Sequence, residues 1–590
     1  METKKILLTA INAKYIHSNL AVYSLRAYAN ECLERKNAGE NKEDDEEKVK
    51  IDIAEYTINQ QTDEILMDIY RRHPDMLCFS CYIWNIQYVR EIVREVAKIL
   101  PDAGIWLGGP EVSYDAVRVL EELPEVTGVM KGEGEETFAR LVLGECKQEM
   151  TGITFRDEEG RIIERPWREV MDLNKVPFIY QDMTDFANKI IYYESSRGCP
   201  FSCSYCLSSV DKKLRFRDVE LVKKELQFFI DREVPQVKFV DRTFNCSHTH
   251  AMEIWKYITE HDRGITNFHF EISADLLNEE EIAMIQSMRP GLIQLEIGVQ
   301  STCPETIREI RRTMKFGKVA EAVRSVGKNG NVHQHLDLIA GLPYENLKRF
   351  EESFNDVYAL KPEQLQLGFL KVLKGSFMEQ NQEAYGLICK DTPPYEVLCT
   401  KWLSYDDVLC LKGVEEMVEI YYNSGQFSRT IRKLEEEFSS AFGMYRELAE
   451  YYTVCGLHKV SHARASRYEI LLEFIQKKKP ENAEIYRELL IYDYYLRENA
   501  KTRPEFAGEY QLSREEVRLF YEEEAESRRY LPDYGKYDRN QVRRMTHLEY
   551  FPHLEEMILF DYAVRNPLTK EARTAKVDTR YCKSIINSLK

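Results

Sequence analysis

Ser195–Ser209 reads SSRGCPFSCSYCLSS, which places Cys199, Cys203 and Cys206 in the spacing C-x3-C-x2-C. A loop bent by glycine and proline that carries three thiols suits a group bound by soft ligands. Structural zinc takes four Cys or His ligands, and no fourth lies nearby; His248 and His250 come beyond the next predicted strand. Three thiolates on a 4Fe–4S cluster would leave one iron open to a further ligand. The triplet therefore reads as an iron–sulfur site, with a structural metal site as the alternative.

Working outward, the loop follows the apolar run Ile190–Tyr193, and strand-like and helix-like runs then alternate. The later strands are Val237–Val240, Phe268–Ile272, Leu292–Ile297, His335–Ala340 and Gln364–Leu370, separated by helical segments such as Val219–Ile230 and Asn278–Met288. Six βα units predict a (β/α)6 partial TIM-type barrel over 185–385, with functional groups at the C-terminal strand ends. Upstream, short strands at Ile6–Leu8, Val49–Tyr56, Met76–Ser80, Gly104–Gly108 and Val126–Met130 alternate with amphipathic helices. That pattern predicts a doubly wound, Rossmann-like parallel sheet over 1–170, linker included, with ligands beyond the carboxyl ends of its strands. The loops there are NAKYIHSN (Asn12–Asn19), CYIWN (Cys81–Asn85), GGPEVS (Gly108–Ser113) and GEGE (Gly132–Glu135). Glu40–Lys48 reads as a solvated acidic insertion. Residues 155–185 read as a connector. From 395 to 590 glycine becomes rare and the apolar pattern is helical, predicting an all-α domain.

The chain has 590 residues, which predicts about three domains. It carries 44% hydrophobic and 31% charged residues, the balance of a folded globular protein. No apolar run is long enough to span a membrane, and the N-terminus lacks a secretory signal. A net charge of −18 argues against broad binding to nucleic acid or anionic lipid. Fourteen cysteines without an export signal are expected as thiols or metal ligands in the cytoplasm. Cys78 and Cys81 form C-x-x-C without a second pair and are expected to pack at a strand end.

The triplet, with Tyr205 before its last cysteine, resembles the radical S-adenosylmethionine (SAM) superfamily. Further matches follow in order: VDRTFN (Val240–Asn245), FEISADLL (Phe270–Leu277), EIGVQS (Glu296–Ser301) and DLIAGLPYE (Asp337–Glu345). The resemblance implies that Cys199, Cys203 and Cys206 hold the cluster and that SAM chelates its open iron. It further implies that Tyr205, Asp241, Glu271, Gln300, Arg312, Asp337 and Gly341 form the SAM site. Carboxylates suit the ammonium and ribose hydroxyls of SAM, and Arg312 suits its carboxylate. No catalytic residue beyond the cluster ligands is assigned.

The N-terminal loops resemble the cobalamin-binding domain that precedes the barrel in cobalamin-dependent members. Asn12, Tyr15, Asn19, Ser80, Tyr82, Trp84, Gly108, Gly109, Pro110, Glu111, Gly132 and Gly134 are then the candidate cobalamin contacts. Glycines let backbone approach a flat corrin closely. The Asp-x-His-x-x-Gly motif is absent, so no protein imidazole is assigned to cobalt, and His17 is the nearest candidate. The resemblance implies an anaerobic enzyme that cleaves SAM to a 5′-deoxyadenosyl radical and moves a methyl group, through methylcobalamin, to an unactivated carbon. The substrate would be a small molecule or peptide, and the electron donor a flavodoxin or ferredoxin. The alternatives are a cobalamin-dependent cyclase, oxidase or rearrangement enzyme, a tRNA methylthiotransferase, and a non-catalytic cobalamin or cluster sensor.

Overall fold

The structure is a computed structural model that describes residues 3–39, 48–210 and 212–578. The acidic insertion therefore lies, but for Lys48, outside the described residues. Two compact units divide the chain: 1–332 with 337–350 and 368–405, and 333–336 with 351–367 and 406–590.

The first unit begins with a seven-stranded sheet of order β2-β1-β3-β4-β5-β6-β7. Its strands are β1 (Lys4–Asn12), β2 (Val49–Thr57), β3 (Met76–Ser80), β4 (Gly104–Gly108), β5 (Gly128–Met130), β6 (Ile153–Arg156) and β7 (Ile162–Glu164). The first five are parallel, and β6 and β7 return antiparallel. The central strands are buried along their middles because helices cover both faces: α1 (Leu20–Gly39), α2 (Thr62–Arg72), α3 (Ile86–Ile99), α4 (Pro110–Ser113), α5 (Ala116–Glu122) and α6 (Glu135–Val142). Ile86, Val89, Ile92, Val93 and Val96 recur on one face of α3 and are buried with Leu77, Phe79, Ile105 and Leu107 in one core cluster. The chain runs from β1 to β2 on one side and then to β3 on the other, so the order reverses between β1 and β3, where a doubly wound fold opens a crevice. The stretch expected to be a plain connector starts as the β6–β7 hairpin, because Ile153–Phe155 bury their side chains against the sheet edge.

The second sheet has the order β15-β14-β13-β12-β11-β8. It comprises β8 (Ile191–Tyr193), β11 (Gln236–Phe239), β12 (Asn267–Ile272), β13 (Ile293–Gln300), β14 (His333–Ala340) and β15 (Gln364–Phe369); the short strands β9 (Ser196–Arg197) and β10 (Arg215–Phe216) pair separately. The pairings β8–β11–β12–β13 are parallel. Alternation along β12 turns Phe268 and Phe270 to one face and His269 and Glu271 to the other. Phe270 packs on Phe239, Phe244 and Trp255.

The second unit is mainly helical, with helices at Tyr405–Val418, Ala441–Val454, Arg464–Lys478, Ala483–Arg497 and Arg514–Ser527. It departs from the all-α expectation in a three-stranded antiparallel sheet of Thr546–Phe551, Glu556–Arg565 and Ala572–Val577. Met557–Phe560 form a continuous buried apolar run, which a strand covered by helices tolerates as well as a helix does. Among the described residues no helix is long and apolar enough to cross a membrane.

Candidate functional site

The cysteine loop leaves β9 and is pinned from several sides. Ser204 N–H donates to the Ile310 carbonyl at 3.0 Å, and the Ser204 carbonyl accepts from Met378 N–H at 3.0 Å. Cys206 N–H closes a turn onto the Cys203 carbonyl at 3.2 Å. Cys199 and Cys203 are buried and Cys206 is partly exposed; all three are free thiols. Burial pushes the Cys203 thiol up, against the pull of Arg312. Arg312 donates from Nη1 to Cys203 Sγ (3.7 Å) and Tyr205 Oη (3.4 Å), and from Nη2 to the Gly298 carbonyl (2.5 Å). Among the described residues the three sulfurs do not form a group whose ligand atoms all lie within 4.8 Å. A single tetrahedral ion needs that convergence, whereas a cube holds its thiolates farther apart. The donor set fits a cluster better than zinc.

Beside the loop, β12 and β13 carry the other SAM candidates. Among the described residues Glu271 has no hydrogen bond or ion pair, and burial raises its carboxyl to about 7, with Arg242 opposing. Gln300 is buried at a φ of 71°, and its Oε1 has no partner among the described residues. Glu271 stands opposite Glu296 in the β12–β13 pairing, and Gln300 lies four residues farther along β13. A carboxylate and an amide oxygen spaced along one wall are what an extended, cationic, donor-rich ligand would satisfy, so the site fits SAM. Asp337 is electrostatically coupled to Glu271. Gly341 has a φ of 91°, and an added Cβ would lie 2.7 Å from Val397 Cγ1, so it serves close packing.

Asp241 is placed otherwise than the resemblance implies. It is fully buried and accepts from Ser195 N–H (2.9 Å), Ser195 Oγ (2.6 Å) and Ser196 Oγ (2.6 Å). Burial raises its carboxyl to about 6. Its acceptor capacity is spent on the strand that leads into the cysteines. Arg312 is engaged in part: Nη1 meets the cysteine loop and Nη2 the Gly298 carbonyl of β13, while Nε has no partner among the described residues.

A cavity of about 480 Å³ opens at the crevice of the N-terminal sheet. Ser80, Tyr82, Gly108, Gly109, Pro110, Gly132 and Gly134 line one side, and Glu194, Ser196, Arg197, Gly198, Ser208, Val240 and Arg242 line the other. The cavity thus touches both the corrin candidates and the residues flanking the cysteines. Leu8, Leu25, Cys78 and Met130 line the same cavity. Gly109 shows why glycine stands there: its φ is 108°, and a Cβ would lie 2.5 Å from the Cys81 carbonyl oxygen. A lining that combines glycine backbone with apolar side chains fits a corrin and its nucleotide tail.

Five of the cobalamin candidates are not brought to this cavity. Asn12 and Asn19 donate to Glu55 at 2.9 and 2.8 Å, and Glu55 is also bound to Lys189. Tyr15 is exposed. Trp84 stacks on Tyr82 at 4.5 Å and donates to the Ile11 carbonyl, so it backs the wall without lining it. Glu111 is buried, accepting from Tyr395 Oη at 2.5 Å and paired with Lys374 at 3.4 Å. These polar residues sit at strand ends, as ligands would, and sequence does not separate a ligand from a loop brace. His17 also lies outside the lining, its Nδ1 2.6 Å from Tyr192 Oη.

Sequence reasoning missed the charged wall. Arg197 is bound to Glu135 (2.8 Å), Glu194 (2.7 Å) and Glu133 (3.5 Å), and Arg215 takes Glu133 at 2.6 Å. These pairs tie GEGE to the strand before Cys199. They hold Glu135 below the ordinary carboxylate range and Arg197 well above its usual value. The signal was the Arg-Gly before Cys199 together with Glu133 and Glu135 of GEGE.

Sequence comparisons agree with this layout. The B12 binding domain family matches residues 8–142, the radical SAM superfamily 193–357, and a family described as protein of unknown function (DUF4080) 383–568. An uncharacterized methyltransferase of Pyrococcus horikoshii is 24% identical over 389 residues, covering 63% of this chain and 80% of the relative. The cobalamin-dependent radical SAM methyltransferase TokK of Streptomyces tokunonensis is 23% identical over 340 residues, 53% of this chain and half of that protein. The solved cobalamin-dependent SAM radical enzyme OxsB, with aqua-cobalamin and SAM bound, matches at TM-score 0.57 and 16% identity, over 83% of this chain and 79% of that one.

Proposed function

The chain is a radical SAM superfamily protein with a B12-binding domain before its barrel and a DUF4080 domain after it, and from that premise we propose that it methylates an unactivated carbon. The observation that carries the reading is the single cavity lined both by the glycine loops of the N-terminal sheet and by the residues flanking the cysteines. When bound, the cluster supplies the electron that cleaves SAM, and the corrinoid supplies the carrier of the methyl group.

The residues of this chain would provide the rest. Cys199, Cys203 and Cys206 would hold the cluster, with Arg312 offsetting thiolate charge at Cys203. Glu271 and Gln300 would accept from the ammonium and hydroxyls of SAM, and Tyr205 and Asp337 would line the same site. Gly108, Gly109, Pro110, Gly132 and Gly134 would carry the corrin, with Tyr82 at its edge. The Arg197 pairs fix the two walls together, so reacting groups meet within one cavity instead of by diffusion. A small-molecule or peptide substrate, a flavodoxin or ferredoxin donor and a cytoplasmic setting belong to this reading.

The test is anaerobic reconstitution with iron, sulfide and hydroxocobalamin, followed by turnover of methyl-deuterated SAM in metabolite extract. Methyl transfer forms S-adenosylhomocysteine alongside 5′-deoxyadenosine. The deoxynucleoside without S-adenosylhomocysteine would contradict the proposal and point to cyclase or rearrangement chemistry.

A further inference from the structure

Arg242 follows β11 at the C-terminal end of the barrel sheet, and its neighbours turn inward. Asp241 is held by Ser195 and Ser196, and Thr243 Oγ1 lies 3.7 Å from Cys199 Sγ. Arg242 itself is exposed and lines the cavity. The charged groups lining that cavity are Glu133, Glu135, Glu194, Arg197 and Arg242. The three carboxylates are bound to Arg197 and Arg215. Among the described residues Arg242 has no carboxylate within ion-pairing distance and no hydrogen bond from its guanidinium. Its field nevertheless reaches Tyr82 on the N-terminal wall and Glu271 on β12. An unpaired fork of five donors thus stands in the shared cavity of a protein whose net charge is −18.

We propose that Arg242 docks an anionic group of the substrate, a carboxylate or a phosphate monoester, in the cavity between the N-terminal glycine loops and the residues flanking the cysteines. The inference rests on the methyltransferase reading and deepens it by naming the substrate class. A guanidinium binds either anion through two parallel N–H···O bonds, which fixes orientation as well as position. The docked substrate then lies beside the cysteine loop, with the hydrogen to be abstracted on its neutral part.

The test labels Arg242 with phenylglyoxal in the full-length chain reconstituted with iron and sulfide, and follows the modified peptide by mass spectrometry. Probes are added singly: succinate, glycerol 3-phosphate, neutral glycerol, SAM and hydroxocobalamin. The expected result is slower labelling with one anion but not with glycerol, SAM or hydroxocobalamin, and the protecting anion tells carboxylate from phosphate. Succinate or glycerol 3-phosphate should also bind R242Q about 10- to 100-fold more weakly than wild type in equilibrium dialysis. Protection by SAM or hydroxocobalamin alone would assign Arg242 to a cofactor and overturn the proposal, as would no protection by either anion. S-adenosylhomocysteine formation is read separately, so failure here leaves the methyltransferase reading standing, and its own failure shows independently.

Discussion

Replacing Arg197 by Met tests whether the charged wall fastens the N-terminal loops to the cysteine loop. At 2.8 Å, the Arg197–Glu135 pair has a Coulomb attraction of about 6 kcal/mol at an effective dielectric of 20. Desolvation offsets a large part, since the side chain of Glu135 is 8% exposed and that of Arg197 20%. Removing Arg197 also leaves Glu194 without its cation, while Glu133 keeps Arg215. Breaking such a pair costs about 3–5 kcal/mol, and the partial exposure places R197M near the lower end, about 3 kcal/mol. E135Q in the same background should recover about 2 kcal/mol, because the uncompensated carboxylate is gone. The assay is a double-mutant cycle on thermal unfolding, with hydroxocobalamin uptake followed by visible absorbance. Uptake should fall in R197M and return partly in the double variant. A coupling below about 0.5 kcal/mol with unchanged uptake would refute the fastening role.

Other outcomes follow from single residues. C203A should lose most of its reconstituted iron while still taking up hydroxocobalamin, measured by iron content and absorbance; full iron retention would remove Cys203 from the ligand set. G109A should lose about 1–3 kcal/mol of stability and bind hydroxocobalamin more weakly, because its φ is 108° and the Cys81 carbonyl leaves no room for a Cβ; an unchanged melting temperature and affinity would contradict that. In the second unit, burial raises the Asp493 carboxyl from 3.8 to about 6. The folded state then holds its proton more tightly than the unfolded state does, so stability falls as pH rises from about 4 to 6, by roughly 3 kcal/mol. D493N should flatten that slope in unfolding measured across the same range, and an identical slope would refute it.

The fold was largely legible because its signals are periodic. Met76–Ser80 and Gly104–Gly108 are expected and observed with the same bounds, and the six barrel strands fall within a few residues of their apolar runs. The C-terminal sheet escaped because Met557–Phe560 lack the alternation that separates strand from helix. At the site, spacing marked the cysteines as candidates, and the glycines of the N-terminal loops line one wall of the cavity. Asn12, Asn19, Glu111 and Asp241 were legible as polar strand-end residues, but not as residues already engaged by Glu55, Tyr395 or Ser195. Which polar groups are engaged is decided by tertiary partners far apart in sequence. Arg242 sat in plain view within VDRTFN; it follows the end of β11, and Ser195 and Ser196 hold Asp241 while Arg242 lines the cavity.

The most direct measurement is electron paramagnetic resonance of the reconstituted protein holding both cob(II)alamin and the reduced cluster. If both bind within one cavity, each signal is broadened or split by the other and narrows when the second centre is omitted. Two spectra that superimpose on those of the singly loaded proteins would contradict the shared cavity.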